Sequence, residues 1–317
     1  MKLKLFKTLW GHTGTFDDAI TACRRHGFDG IEGQAPGGAA EHRQFRRALE
    51  AAGLDYIAEI CTSGSYVPDR RATPADHLKS FRRQAQGALE CIPLFLTVIA
   101  GCDAWTIRQS VDFFGEAMAV AEKLGVIVSF ETHRSRSFFN PWTTRDILRE
   151  LPALKLTCDF SHWCVVCERL ISTEAEVLAL CAARAQHVHA RVGYDQGPQV
   201  PHPAAAEYLT ALEAHEQWWT LIWRSQLTRG MPVTTMTPEF GPDGYLQCRP
   251  FTGEPAADLV EVNAWMAARE RKRFEEIFAG AAAGAVFAHG QKVGRAANSL
   301  APGDGKIYAQ TGIESSH

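Results

Sequence analysis

Short apolar runs rich in β-branched residues alternate along this chain with stretches whose apolar residues recur at helical spacing. The runs begin near Leu3 (LKLFKTLW), Phe28 (FDGIEG), Leu54 (LDYIAEICT), Leu94 (LFLTVIAG), Val126 (VIVSFETH), Leu154 (LKLTCDF), Ala185 (AQHVHARVG) and Val233 (VTTMTPEFG), and they predict eight strands. Helices are predicted between them over Phe16–His26, Glu41–Ala52, Ala75–Cys91, Trp105–Leu124, Thr143–Leu151, Thr173–Arg184, Ala204–Arg229 and Pro255–Phe278. Thr15 and Ser172 are the predicted N-caps of two of them, and Gly27, Gly53 and Gly125 follow three others as stops. Eight βα units over about 275 residues predict a (β/α)8 TIM barrel. A doubly wound open sheet would need a phosphate-binding glycine loop after an early strand, and neither GxGxxG nor a Walker A motif is present. The expected organisation is one barrel domain, residues 1–278. Residues 279–317, which open with AGAAAGAVFAHG, are expected to form a weakly ordered tail.

Active sites of such barrels lie at the C-terminal ends of the strands. The fifth run ends in FETHRSR (Glu131, His133, Arg134) and the sixth in TCDFSHW (Asp159, His162). The seventh reads HVHARVG (His187, His189, Arg191) and the eighth ends in TPEFGP (Glu239). Glu131 and Asp159 are 28 residues apart, and Asp159 and His189 are 30 apart, close to one βα unit. The step of 50 to Glu239 is longer, which fits the loop GYDQGPQVPHP and the long helix carrying Trp218, Trp219 and Trp223. Strand parity puts Ser129, Glu131 and His133 on one face, His187, His189 and Arg191 on another, and Thr235, Thr237 and Glu239 on a third. Buried carboxylates need a partner, and several that converge with an imidazole have a natural one in a divalent cation. The expected metal ligands are therefore Glu131, Asp159, His189 and Glu239. With no thiolate in the set, Mn²⁺ is the first expectation, and Mg²⁺, Co²⁺ or Zn²⁺ the alternatives.

Further residues are expected around the mouth. Trp10 and His12 follow the first strand, where an aromatic ring can stack on a sugar face, and Trp163 can wall the pocket. Glu59 and Glu32 can bind hydroxyls or serve as structural ion-pair members. Arg134 and Arg191 can bind an acidic group of the substrate or brace the ligand carboxylates, and His133 and His187 are candidates for support behind the ligands.

These motifs resemble the sugar phosphate isomerase/epimerase superfamily of xylose isomerase-like TIM barrels, over about residues 3–275. Glu131 in FETH, the D-x-x-H of Asp159–His162, the H-x-H of His187–His189 and Glu239 in PEFGP carry the resemblance. It implies a single divalent metal on Glu131, Asp159, His189 and Glu239, with Glu131 and Glu239 as the acid–base pair and His162 in contact with substrate. The implied activity is isomerisation or epimerisation of a small keto-sugar or polyol derivative through a metal-stabilised enediolate. Lyase or dehydratase chemistry through the same enediolate is the alternative. The ketose 3-epimerases carry an arginine farther beyond the metal histidine than Arg191, which stands two residues on, so fold and metal site transfer better than substrate.

Composition narrows the remaining classes. With 33 basic and 36 acidic residues the formal charge is −3, which disfavours an apurinic-site-type endonuclease. A non-catalytic sugar-binding subunit would have no need of two proton carriers. No apolar run reaches the ~18 residues of a membrane span. The start, MKLKLFKTLW, lacks the apolar core of a signal peptide, so a reducing cytoplasm is expected. Cys164 and Cys167 form a lone CxxC among nine cysteines, without the second pair of a zinc site. The expected partner is a small-molecule sugar, with no nucleic acid and no membrane, and homo-oligomerisation through the tryptophan helix is left open.

Overall fold

The computed structural model describes residues 1–242 and 244–287, with side chains through Ala279. All eight expected strands form: β1 (Lys2–Thr8), β2 (Gly30–Gln34), β3 (Asp55–Cys61), β4 (Leu96–Ile99), β5 (Val128–Glu131), β6 (Leu156–Cys158), β7 (Ala185–His189) and β8 (Val233–Thr237). Each is parallel to its neighbours in chain order, and β1 also pairs with β8, closing a barrel. Strands sandwiched between a filled interior and outer helices are buried on both faces, which is why they read as short apolar runs rather than long alternations.

The helices are α1 (Phe16–His26), α2 (Ala39–Ala52), α3 (Pro74–Leu89), α4 (Ile107–Leu124), α5 (Pro141–Glu150), α6 (Ser161–Val166), α7 (Ala175–Arg184), α8 (Leu209–Thr228) and α9 (Leu259–Phe287). Local chemistry sets many of their ends. Thr15, Thr73 and Thr106 each close a capping box at the start of α1, α3 and α4. Gly27, Gly53 and Gly125 end α1, α2 and α4 in the left-handed conformation. Ser172 is not the cap of α7: Ile171–Thr173 forms a 3-10 turn first, and Glu174 takes the N-cap position. The short α6 was not anticipated, and it carries His162. The last helix continues past Phe278 to Phe287. The remainder of the expected tail, residues 288–317, lies outside the described residues.

Two compact units are present, Met1–Phe274 and Glu275–His317. In the first, the barrel interior is layered. Phe6, Ile57 and Phe95 form a buried apolar cluster, and the rings of Phe6 and Phe95 contact the His187 ring at 6.4 and 5.5 Å. Thr97, Ser129 and Thr157 join hydroxyls across the interior at 2.8 Å. Trp218, Trp219 and Trp223 of α8 are buried, so they are packing residues and present no exposed aromatic patch. Among the described residues no helix is long and apolar enough to cross a membrane.

Candidate active site and metal centre

Glu131 ends β5, Asp159 follows β6, His189 ends β7 and Glu239 follows β8. The barrel brings one ligand atom from each to within 4.8 Å of the others, all four residues being buried. The ends of β5 and β6 are locked together by Thr132, whose hydroxyl donates to the Asp159 carbonyl and accepts from the Asp159 N–H, both at 2.8 Å. Asp159 Oδ1 accepts from the N–H and hydroxyl of Ser161, at 3.0 and 2.5 Å, which starts α6 and fixes the carboxylate. Gly193 lets the loop after β7 press against this turn: a Cβ there would lie 2.6 Å from the Ser161 carbonyl oxygen.

The four groups fit a cation on their own geometry. Glu131 Oε2 and His189 Nδ1 are buried and take part in no hydrogen bond. His189 Nδ1 lies 3.0 Å from Glu239 Oε2 and 3.6 Å from Glu131 Oε2, an imidazole nitrogen facing two carboxylates. Three oxygen donors and one imidazole, without sulfur, suit a hard or borderline divalent ion.

The electrostatics show how much charge is confined here. Burial pushes Glu131 up to about 8, against the pull of His189. Burial likewise raises Asp159, opposed chiefly by the Arg191 guanidinium. For His189 burial acts against the charged ring, but Glu239, Glu32 and Glu131 outweigh it and hold its pKa well above the usual imidazole value. Glu32 is the reverse case: burial would raise it, but His189 and His187 hold it below the usual carboxylate range.

A cavity of about 110 Å³ opens onto this centre. Of the four expected ligands, only Glu131 and Glu239 line it. Among the other residues expected at the mouth, Trp10, Glu59, His133 and Arg191 line it too. Trp10 is held by Gly241, where a Cβ would fall 2.0 Å from the indole. Burial together with Glu239 and Glu32 pushes the Glu59 carboxyl up to about 7. Arg191 donates to Asp159 Oδ2 at 2.5 Å and to the Ser161 hydroxyl at 3.0 Å, and its Nη2 donates to His162 Nε2 at 2.6 Å. It therefore braces the ligand carboxylates rather than standing free for a substrate anion. Arg134 lies 4.8 Å from the centre of the Tyr245 ring.

Three residues expected at the mouth do not line the cavity. Trp163 does not wall the cavity: α6 turns it inward, where it is fully buried, contacts Phe160 and donates to the Phe138 carbonyl. His12 lies in a separate surface depression between the β1–α1 loop and α9, bonded to the Thr15 carbonyl. His162 is completely buried behind Arg191 and against the His133 ring, 4.0 Å away, and does not line the cavity.

Other wall residues escaped the sequence reading. Gln34 and Cys61 end β2 and β3, where the strand-end rule could have found them. Ser65, Tyr66 and Tyr245 sit in irregular loops and Ile99 ends a plain apolar strand, so no pattern marks them. The segment bearing Ser65 and Tyr66 is held by Arg136, a buried arginine that donates to the carbonyls of Thr62 (2.7 Å), Gly101 (3.1 Å), Tyr66 (3.1 Å) and Ser65.

Comparisons with known proteins agree with this architecture. No curated protein matches the sequence. D-allulose 3-epimerase from Methylomonas sp. superposes with a TM-score of 0.60 at 14% identity, covering 86% of this chain and 98% of that one. The probable 3-DHS dehydratase of Bacillus anthracis gives 0.53 at 14%, over 84% and 97% of the two chains. Endonuclease IV from Thermus thermophilus gives 0.53 at 14%, over 87% and 99%. The neighbours are thus enzymes of three different chemistries on one fold. The family model described as xylose isomerase-like TIM barrel matches residues 20–198, more than half of the sequence, and the chain belongs to that family.

Proposed function

We propose that the protein is a divalent-metal-dependent isomerase or epimerase of a small, uncharged keto-sugar or polyol derivative. The observation that carries this reading is the division of labour among the four converging groups. All four face one another, yet only the glutamates Glu131 and Glu239 reach the cavity. Asp159 and His189 hold position behind them, and two proton carriers open onto the substrate space.

A divalent cation on Glu131, Asp159, His189 and Glu239, with Mn²⁺ the first candidate, would supply Lewis acidity to the substrate's carbonyl and neighbouring hydroxyl oxygens. One glutamate removes the proton from the carbon next to the carbonyl, and the other returns a proton. Return to the opposite face gives epimerisation, and return to the adjacent carbon gives isomerisation. Trp10 and Tyr245, in edge-to-face contact at 4.8 Å, offer apolar surface to the C–H face of a sugar. Glu59, Gln34 and Ser65 offer hydrogen-bonding groups for hydroxyls. Three glutamates line the cavity against one arginine, and that arginine is committed to Asp159, which favours a neutral substrate over a phosphorylated one. Nine unpaired cysteines support a reducing, cytoplasmic setting. The net charge of −3 and an aromatic-walled cavity weigh against the nuclease chemistry found on this fold.

The test is metal content followed by deuterium exchange. The metal-reconstituted protein is incubated in D₂O with ketoses, inososes and 3-keto-glycosides, and mass spectrometry reads deuterium at carbon. One metal per chain and exchange that disappears in Glu239→Gln and Glu131→Gln are expected. Product identity separates isomerase from lyase. Failure to take up metal would overturn the ligand set. Metal uptake without exchange on any substrate would overturn the proton-transfer reading.

A further inference from the structure

Glu32 of β2 has no place in the chemistry above, yet it is 1% exposed inside the barrel and surrounded by polar atoms. Its Oε1 lies 3.0 Å from His189 Nε2. Its Oε2 lies 3.1 Å from His187 Nε2 and accepts the Thr237 hydroxyl. His187 Nδ1 lies 2.7 Å from the Thr235 hydroxyl. Glu32, the two histidines and the two threonines come from β2, β7 and β8 and fill the interior just behind the metal centre.

We propose that Glu32 is a positioning residue that selects the ring orientation and tautomer in which His189 can serve as a ligand, an inference that rests on the metal-centre reading above. The argument is donor accounting. A carboxylate only accepts, so both histidines must carry a proton at Nε2. His187 Nδ1 then accepts from Thr235, and every partner in the cluster is satisfied. In the neutral ring that a cation requires, the lone pair left over is His189 Nδ1, the atom that faces Glu131 and Glu239. The competing arrangement puts the proton on Nδ1, where Glu239 Oε2 at 3.0 Å is ready to accept it. That arrangement would satisfy an empty site and remove its nitrogen ligand. Glu32 makes it unfavourable, because an unprotonated Nε2 would set a lone pair against a buried carboxylate. His187 and Thr237 hold Glu32 in turn, and Phe6 and Phe95 fix the His187 ring. The Glu32, His187 and His189 cluster, although compact, is thus not a second metal site: its facing nitrogens carry protons.

The experiment is titration of Mn²⁺ and Zn²⁺ into the metal-stripped parent, Glu32→Gln and Glu32→Ala, with ¹⁵N NMR of histidine in the zinc-loaded parent and circular dichroism of all three. Loss of such a carboxylate weakens metal binding by about 10–100-fold. That loss is expected in Glu32→Ala, and Glu32→Gln, which keeps an acceptor for Nε2–H, is expected to lie between it and the parent. NMR is expected to show His189 protonated at Nε2 and coordinated through Nδ1. Coordination through Nε2 would overturn the proposal, and this arm stands even where Glu32→Ala fails to fold. A folded Glu32→Ala that binds metal within about threefold of the parent would also overturn it, leaving the ligand set intact. A parent that takes up no metal overturns both.

Discussion

Arg191 is a permanent positive charge inside the candidate centre, and replacing it with methionine isolates what that charge does. The guanidinium is 2% exposed, bonds Asp159 directly and lies 3.5 Å from Glu239 Oε2. Arg191→Met keeps much of the side-chain volume but removes the permanent counter-charge from Asp159 and Glu239, leaving the His189 ring alone to balance the carboxylates. Removing one partner of a buried ion pair costs about 3–5 kcal/mol. At ~2–4 °C per kcal/mol for domains somewhat smaller than this chain, the metal-free variant should melt roughly 6–20 °C below the parent. The assay is thermal unfolding by circular dichroism, in chelator and in saturating Mn²⁺. A bound cation restores positive charge to the same carboxylates, so the deficit should shrink by more than half when metal is added. A deficit of similar size in both conditions would refute the reasoning, because Arg191 would then act through packing with Tyr245 and Trp10, 4.7 and 5.6 Å away, and not through charge.

The same confined charge predicts a pH slope. The carboxyl groups of Glu131 and, at the α8–α9 contact, Glu270 are raised by burial to about 8, above their unfolded values, so their contribution to stability fades as pH rises towards 8. His77 and His215 are lowered by burial to about 4, so their opposing trend is complete by the unfolded histidine value near 6.5. Urea midpoints of the metal-free protein should therefore fall between pH 6.5 and 8. Glu270→Gln should remove one part of that slope and metal the other, and a flat profile would contradict the burial of both groups. Gly193→Ala places a methyl 2.6 Å from the Ser161 carbonyl, and backbone must move; a stability loss of about 1–3 kcal/mol in chemical denaturation, with weakened metal binding from the displaced Asp159 turn, is expected. Arg136→Lys keeps the charge but loses the fork that holds four carbonyls. Steady-state kinetics on a substrate found by exchange should show a larger change in KM than in kcat, since Ser65 and Tyr66 line the cavity and are not the proposed proton carriers.

The strands were legible because each is short, apolar and followed by a helix with its own start and stop signals. The convergence of Glu131, Asp159, His189 and Glu239 was legible because a closed parallel barrel repeats one unit, so chain spacing translates into height on the barrel wall. What stayed hidden depends on side-chain direction after the strand has ended. His162 and Trp163 follow Asp159 closely, but the unanticipated turn of α6 points both into the protein. His12 follows Trp10 by two residues, yet the turn at Leu9–His12 sends it to the surface while Trp10 stays at the cavity. Tyr245 comes from a loop with no periodicity and still lines the cavity. Parity holds only as far as the ladder does, and the loops that complete the cavity obey close approaches such as Gly193 on Ser161 and Gly241 on Trp10 instead.

Glu32 is the instructive intermediate. It lies on a strand, but a lone glutamate on an apolar strand reads equally as a hydroxyl binder or an ion-pair member. Its meaning emerges only when β2, β7 and β8 are brought together and each polar hydrogen around it is assigned. In the neutral ring the assignment leaves Nδ1 as the lone pair, aimed at two glutamates that themselves open onto the cavity. An inert barrel mouth would leave the proton of that ring free to settle on Nδ1, within reach of Glu239. Here an acceptor at 3.0 Å stands on the far side of the ring and commits the proton there instead. On the proposed reading, the interior thus directs the proton of the neutral ring away from the nitrogen that would hold a metal. That is the physical signature expected of a preorganised metal centre and not of a polar plug in an inert barrel mouth.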